Sequence, residues 1–264
     1  MLFKPAIVTG VFSELKPEDA IRRLAGIGWR YFEFYSVHMA EVNKRKDPEK
    51  HFSALRELCE KLGVFVPAAH DNTQGVKPER FMRWSQLLGV KWVVLHPSVK
   101  KTAQENLRVL REWVDLARRF GVGIAVENMH DLIPDIEGRR AFGATPTELL
   151  WLVKETDPEL VGVCWDVNHA HVQKLDQYRA IKQLGKHLFH VHVTDTTTDS
   201  EEQHLLPFEG EVDWKVVIKA LREIDYEGLF SLEPGASVNN LPLPLRDLKL
   251  RYALELTEAM IECM

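Results

Sequence analysis

Gly123-Ile124-Ala125-Val126-Glu127-Asn128 is a short apolar run that stops at a carboxylate and an amide. Four successive residues without a polar side chain cannot alternate between a dry face and a wet one. The run therefore reads as a strand covered on both sides, as strands of a parallel sheet are. A glutamate at the end of such a strand is costly to bury alone, so Glu127 marks either an ion pair or a working site. The same pattern recurs along the chain. Strands are expected at Ala6–Gly10, Tyr31–Tyr35, Val64–His70, Trp92–His96, Gly123–Glu127, Val161–Asp166, Phe189–Val193 and Leu229–Glu233. Between them lie stretches with helical spacing: Thr102–Phe120 sets Leu107, Leu110, Trp113, Val114, Ala117 and Phe120 on one face. Thr102 with Glu105 and Thr145 with Glu148 read as capping boxes, with Pro146 at a favourable first helical position. Gly28, Gly63, Gly89 and Gly121 stand where helices are expected to end in a left-handed residue.

Eight strand–helix alternations, with no linker or charge block between them, predict one (β/α)8 TIM barrel over residues 1–264, a single α/β domain. A doubly wound sheet is the competitor, but no GxGxxG follows the first strand. The connections Val37–Pro48, His130–Ala144 and Thr194–Glu211 would then be loops on the catalytic face. Composition excludes other classes. Cys59, Cys164 and Cys263 are scattered without a CxxC pair, which suits a reducing compartment and, with no signal-like features at Met1–Pro5, predicts a cytoplasmic protein. No apolar run approaches membrane-spanning length, and the net charge of −5 argues against a nucleic-acid partner.

His70, His96, Glu127, Asp166, His192 and Glu233 fall at or within a residue of the ends of the third to eighth expected strands. In a barrel those ends share one rim, where active sites sit. Alone, His70 and His96 read first as hydrogen-bonded rim histidines. Asp166 is followed three residues later by His169, a spacing that converges on one point if the turn is helical. For His190-Val191-His192 we read one of the two histidines as facing inward, and choose His192. His204 lies in a loop and could equally be exposed, while Trp84, Trp92, Trp113 and Trp151 read as core. Three carboxylates with one imidazole favour Mn²⁺, Mg²⁺ or Co²⁺, with Zn²⁺ also admissible.

Through Glu127-Asn128, Asp166-Val167-Asn168-His169, His190–Asp195, Phe208–Trp214 and Leu232–Gly235 the chain resembles the xylose isomerase-like TIM-barrel superfamily and its sugar phosphate isomerase/epimerase branch. The resemblance implies one divalent ion held by Glu127, Asp166, His192 and Glu233. Glu127 and Glu233 would also be the proton-transfer groups, and His70, His96, His169 and His204 would contact substrate. Phe208 stands where that family usually has glycine, and Thr196–Thr198 where ketose 3-epimerases carry an arginine. The same superfamily holds apurinic endonucleases with three zinc ions. Their ligands trace here to His70, His96 and Glu127; to Glu127, Asp166, His192 and Glu233; and to His169, Glu202 and His204. The expected activity is a metal-dependent sugar or sugar phosphate isomerase or epimerase working through an enediolate. A keto-cyclitol dehydratase, an endonuclease-like hydrolase and a non-catalytic sugar-binding barrel are the alternatives. A small sugar is the expected partner, with self-association into a homo-oligomer left open.

Overall fold

Eight parallel strands, each hydrogen-bonded to the next and the eighth to the first, close a barrel in the computed structural model, which describes residues 3–70, 74–130, 142–197 and 203–264. The strands are β1 Lys4–Val8, β2 Tyr31–Phe34, β3 Phe65–His70, β4 Trp92–Leu95, β5 Gly123–Glu127, β6 Val161–Asp166, β7 Leu188–Val193 and β8 Leu229–Leu232. The helices are α1 Pro17–Ile27, α2 Ser36–Asn43, α3 Pro48–Leu62, α4 Pro78–Leu88, α5 Ala103–Phe120, α6 Pro146–Lys154, α7 Val167–Val172, α8 Gln177–Leu184, α9 Trp214–Glu223, α10 Gly235–Val238 and α11 Leu243–Cys263. No helix among the described residues is long and apolar enough to cross a membrane.

Both expected capping boxes form. Thr102 accepts from Glu105 N at the head of α5 and Thr145 from Glu148 N at the head of α6, each glutamate bonding back to the cap nitrogen. Leu107, Leu110, Trp113, Val114 and Ala117 are buried against the barrel, with Phe120 packed partly buried beside them. Gly63, Gly89 and Gly121 end their helices in the left-handed region, whereas Gly28 has a positive φ of 128° outside it. The first strand lies earlier than expected, because Thr9–Phe12 winds into a 3₁₀ turn directly after it. The expected loop Val37–Pro48 is largely helix, its residues Val37–Asn43 lying in α2. Of the other two expected loops, residues 131–141 and 198–202 lie outside the described residues.

Inside the barrel the residues stack by the period of two that a strand imposes. Ala6, Ala68 and Leu229 form the bottom with Tyr31 and Trp92, and Val94, Ala125 and Cys164 the next level with Trp92 and Phe189. The small side chains leave room for the large ones: a Cβ on Gly162 would lie 2.3 Å from the Phe189 ring. The register shifts between β6 and β7 at this point, Val163 facing Leu188 and Cys164 facing His190. One pleat above, every strand end from β5 to β8 carries a side chain of the site.

Candidate metal centre

Along β5, β6 and β7 the inward residues step from Ala125 to Glu127, from Cys164 to Asp166 and from His190 to His192. Candidate ligand atoms of Glu127, Asp166 and His192 all lie within 4.8 Å of one another. His192 Nδ1 is 3.2 Å from Glu127 Oε2, 3.7 Å from Glu233 Oε2 and 3.9 Å from Asp166 Oδ2. That nitrogen is buried and makes no hydrogen bond. Asp166 is locked from two sides. Its backbone N–H donates to Asn128 Oδ1 at 2.6 Å while Asn128 Nδ2 donates to its carbonyl at 3.0 Å. Its Oδ1 caps α7 by accepting from His169 N at 2.8 Å, so the turn is helical as its spacing requires. His169 Nδ1 donates to the Asn128 carbonyl at 2.7 Å and lies 3.4 Å from Glu127 Oε1, which places it beside the centre.

Sequence reasoning missed Glu33 and misjudged β7. Residues two apart on a strand point the same way, so His190 and His192 both face inward, and the expectation that only one does is wrong. Glu33, fully buried on β2, sits beneath them. It accepts from His70 Nδ1 at 3.0 Å, His190 Nε2 at 2.9 Å, His192 Nε2 at 3.1 Å and Ser231 Oγ at 2.7 Å. The signal was a lone carboxylate between Phe32 and Phe34 on a strand covered on both sides.

The electrostatics match this crowding. Burial pushes the Glu127 carboxyl up, but His192 and His96 together hold it well below the usual carboxylate range. Glu33 behaves likewise, burial being outweighed by His192 and His190, and Glu233 is lowered against its burial by His192 and His70. Burial pushes His70 and His192 down, and the facing carboxylates carry both well above an ordinary imidazole. For His190 burial prevails and the value falls. Converging carboxylates thus demand positive charge at their centre, and a divalent cation supplies it without protons. The donor set, with the buried His192 Nδ1 among its carboxylates, fits such an ion. Cys164 approaches His190 and His192 closely but packs with Val94 and Ala125 in the apolar interior of the barrel, where burial pushes its thiol well up.

The centre opens into a cleft of about 800 Å³. His70 Nδ1, shared with Glu33, lies 3.1 Å from Glu233 Oε1, and His96 Nε2 is hydrogen-bonded to Glu127 Oε2 at 2.9 Å. Half-buried His204 also lines the cleft, its Nδ1 3.9 Å from Glu233 Oε2. Tyr35 forms part of the opposite wall, its ring 5.4 Å from that of His70 and so close over Gly10 that a Cβ there would lie 2.7 Å from it. Glu202 lies outside the described residues. The four tryptophans pack as expected: Trp84 stacks on Phe52, Trp113 meets Phe81 and Trp151 meets Phe142 edge-on, and Trp92 lies inside the barrel.

Residues 21–255 match the family model of the xylose isomerase-like TIM barrel. The chain belongs to that family. Within this xylose isomerase-like family, an inosose isomerase of Bacillus velezensis is 28% identical over 166 residues. The match takes in 58% of this chain and only 56% of that enzyme's length. The crystal structure of an IOLI protein with a binding zinc atom superposes with a TM-score of 0.81 at 19% identity, covering 99% of this chain and 100% of that one. D-psicose 3-epimerase in the presence of D-fructose gives 0.79 at 17% identity, covering 98% and 99%. At those identities the two structures establish the barrel and its closure, not the activity.

Proposed function

We propose that this chain is a divalent-metal-dependent isomerase or epimerase of sugars that moves a proton on the carbon beside a carbonyl. The observation that carries the reading is the convergence of Glu127, Asp166 and Glu233 on the buried Nδ1 of His192 at the foot of an open cleft. These four residues would hold the ion. The oxygen-rich set suits manganese, magnesium or cobalt, and its imidazole admits zinc. When bound, such an ion polarises a substrate carbonyl and a neighbouring oxygen, which acidifies the proton between them. Glu127 comes from β5 and Glu233 from the end of β8, so they reach the centre from different sides. One removes the proton and the other returns it, which inverts the carbon or moves the carbonyl. His96 keeps Glu127 aimed and His70 keeps Glu233 aimed, both facing the cleft where substrate hydroxyls would lie. His169 and His204 complete the binding wall.

The inosose isomerase relative and the barrel shared with a sugar epimerase and a zinc-containing protein support a ketose or related polyol ketone as substrate. Dehydration of a keto-cyclitol would begin with the same proton abstraction. A second reading draws on ligand atoms of His70, His96 and Glu127 also lying within 4.8 Å of one another, a grouping able to hold a further ion for phosphodiester hydrolysis. One ion suffices to polarise a carbonyl, and the net charge of −5 does nothing to draw DNA, so the sugar reading is preferred. The test is incubation with ketoses and inososes in deuterated water with added Mn²⁺, read by NMR. Deuterium entering the carbon beside the carbonyl, and lost in Glu127→Gln, is the expected result. Cleavage of an abasic-site duplex by the zinc-loaded protein, without exchange into any sugar, would overturn it.

A further inference from the structure

We infer that Trp92, His190 and Glu33 form a buried positioning relay that presents Nδ1 of His192 to the ion, an inference that rests on the metal reading above. What each group can donate fixes where the protons sit. An indole N–H only donates, and Trp92 Nε1 lies 3.2 Å from His190 Nδ1, so that nitrogen accepts. The His190 proton therefore sits on Nε2, 2.9 Å from Glu33 Oε2, and donates to it. Ser231 Oγ donates to the same oxygen at 2.7 Å. On the rim side His70 Nδ1 lies 3.0 Å from Glu33 Oε1, and His192 Nε2 reaches both carboxylate oxygens, 3.1 Å from Oε1 and 3.2 Å from Oε2. A carboxylate accepts only, so the His192 proton on this side belongs to Nε2, and an ion among Glu127, Asp166 and Glu233 would replace any proton on the other nitrogen and take its lone pair.

Packing supports a functional reason for the arrangement. Glu33 occupies an inward position one pleat above the apolar bottom of the barrel, where an aliphatic side chain would fill the space without the cost of burying a charge. The bottom is shaped around Trp92: the small Ala6 and Ala68 beside it let the indole lie inside the barrel and reach His190. Glu33 is fully buried beneath the residues that line the cleft and acts through His192 and His70. A carboxylate behind a metal-binding histidine sets its ring orientation and tautomer, and losing such a partner typically costs about 10–100-fold in metal affinity.

The test uses the full chain loaded with zinc, with affinity measured against a competing chelator and imidazole nitrogens read by ¹⁵N NMR. The wild type is expected to show His190 protonated at Nε2 and His192 bound through Nδ1. Glu33→Gln should weaken zinc binding by about 10–100-fold. Should Glu33→Gln not fold, Trp92→Phe removes the donor while leaving one aromatic ring inside the barrel. It should release His190 into a mixture of tautomers and weaken zinc by a smaller factor in protein shown by circular dichroism to be folded. His190 protonated at Nδ1 in the wild type, or either folded variant binding zinc as tightly as wild type, overturns the relay alone. Wild-type protein that binds no zinc overturns the metal reading, and the relay's role with it.

Discussion

Glu127 and Asp166 end buried strands, and Glu233 follows directly on another, which is why the amino-acid order alone reveals them: apolar strands rarely run into carboxylates without a reason. Glu127 is expected to be needed twice, as ligand and as proton-transfer group. Glu127→Gln preserves volume and burial but replaces a ligand oxygen with an amide. Circular dichroism should show the fold retained, while bound metal falls and turnover drops by about 10²–10⁴-fold, the usual range for a lost acid–base group. Metal stoichiometry equal to wild type in this variant would remove Glu127 from the ligand set. Glu33 was missed because the site was sought at the ends of the third to eighth strands, and the second was expected to run on to Tyr35, two residues past it. His190 was misjudged for a different reason: the period of two puts it on the same face as His192, a rule that needs no coordinates. Phe208 departs from its surroundings in another respect. It stands exposed at a positive φ of 68°, a conformation that disfavours side chains, where the family usually carries glycine. Phe208→Gly is expected to leave stability unchanged or raise it by up to about 1 kcal/mol in thermal unfolding. A loss larger than that would mean the ring packs against something the fold depends on.

The segment that follows β7 shows how an element is built around one buried group. Asp195 accepts from Phe208 N at 2.9 Å, Val212 N at 3.0 Å and Trp214 Nε1 at 2.9 Å, tying residues 206–214 down beside the cleft. Gly210 is required there, since a Cβ would lie 2.3 Å from both Asp195 Oδ1 and the Thr196 carbonyl. Asp195→Ala would strand those buried donors. It should cost at least about 3 kcal/mol, each unsatisfied buried group being worth about 1–3. Because the same segment carries His204 and Leu205 into the cleft, KM should rise more than kcat falls. Urea unfolding and steady-state kinetics check the two halves separately. The helices were more legible than this segment. Thr102 and Thr145 declare their caps by a glutamate three residues on, whereas Asp195 is satisfied by partners up to 19 residues away, which no local pattern reveals. The early end of β1 escaped for a similar reason, as Val8 and Val11 continue an apolar run through a turn made by tertiary packing.

At the scale of the molecule, alternation of continuous apolar runs with helical faces was enough to read the barrel and the rim on which six ionisable residues meet. The cleft's selectivity was not, since it depends on which side chains share a wall. Among the described residues lining it there is no lysine or arginine, while Glu127 and Glu233 contribute negative charge. Free sugars are therefore expected to be turned over with higher kcat/KM than their phosphate esters. A reversed order would point to cations from segments outside the described residues. Whether one ion is held by Glu127, Asp166, His192 and Glu233 can be read straight from anomalous diffraction by crystals grown with zinc. One dominant peak is expected, about 2.0–2.2 Å from a carboxylate oxygen or the imidazole Nδ1 of those four residues. No peak there, or two or three comparable peaks spreading to His70 and His96, would contradict the single-ion centre.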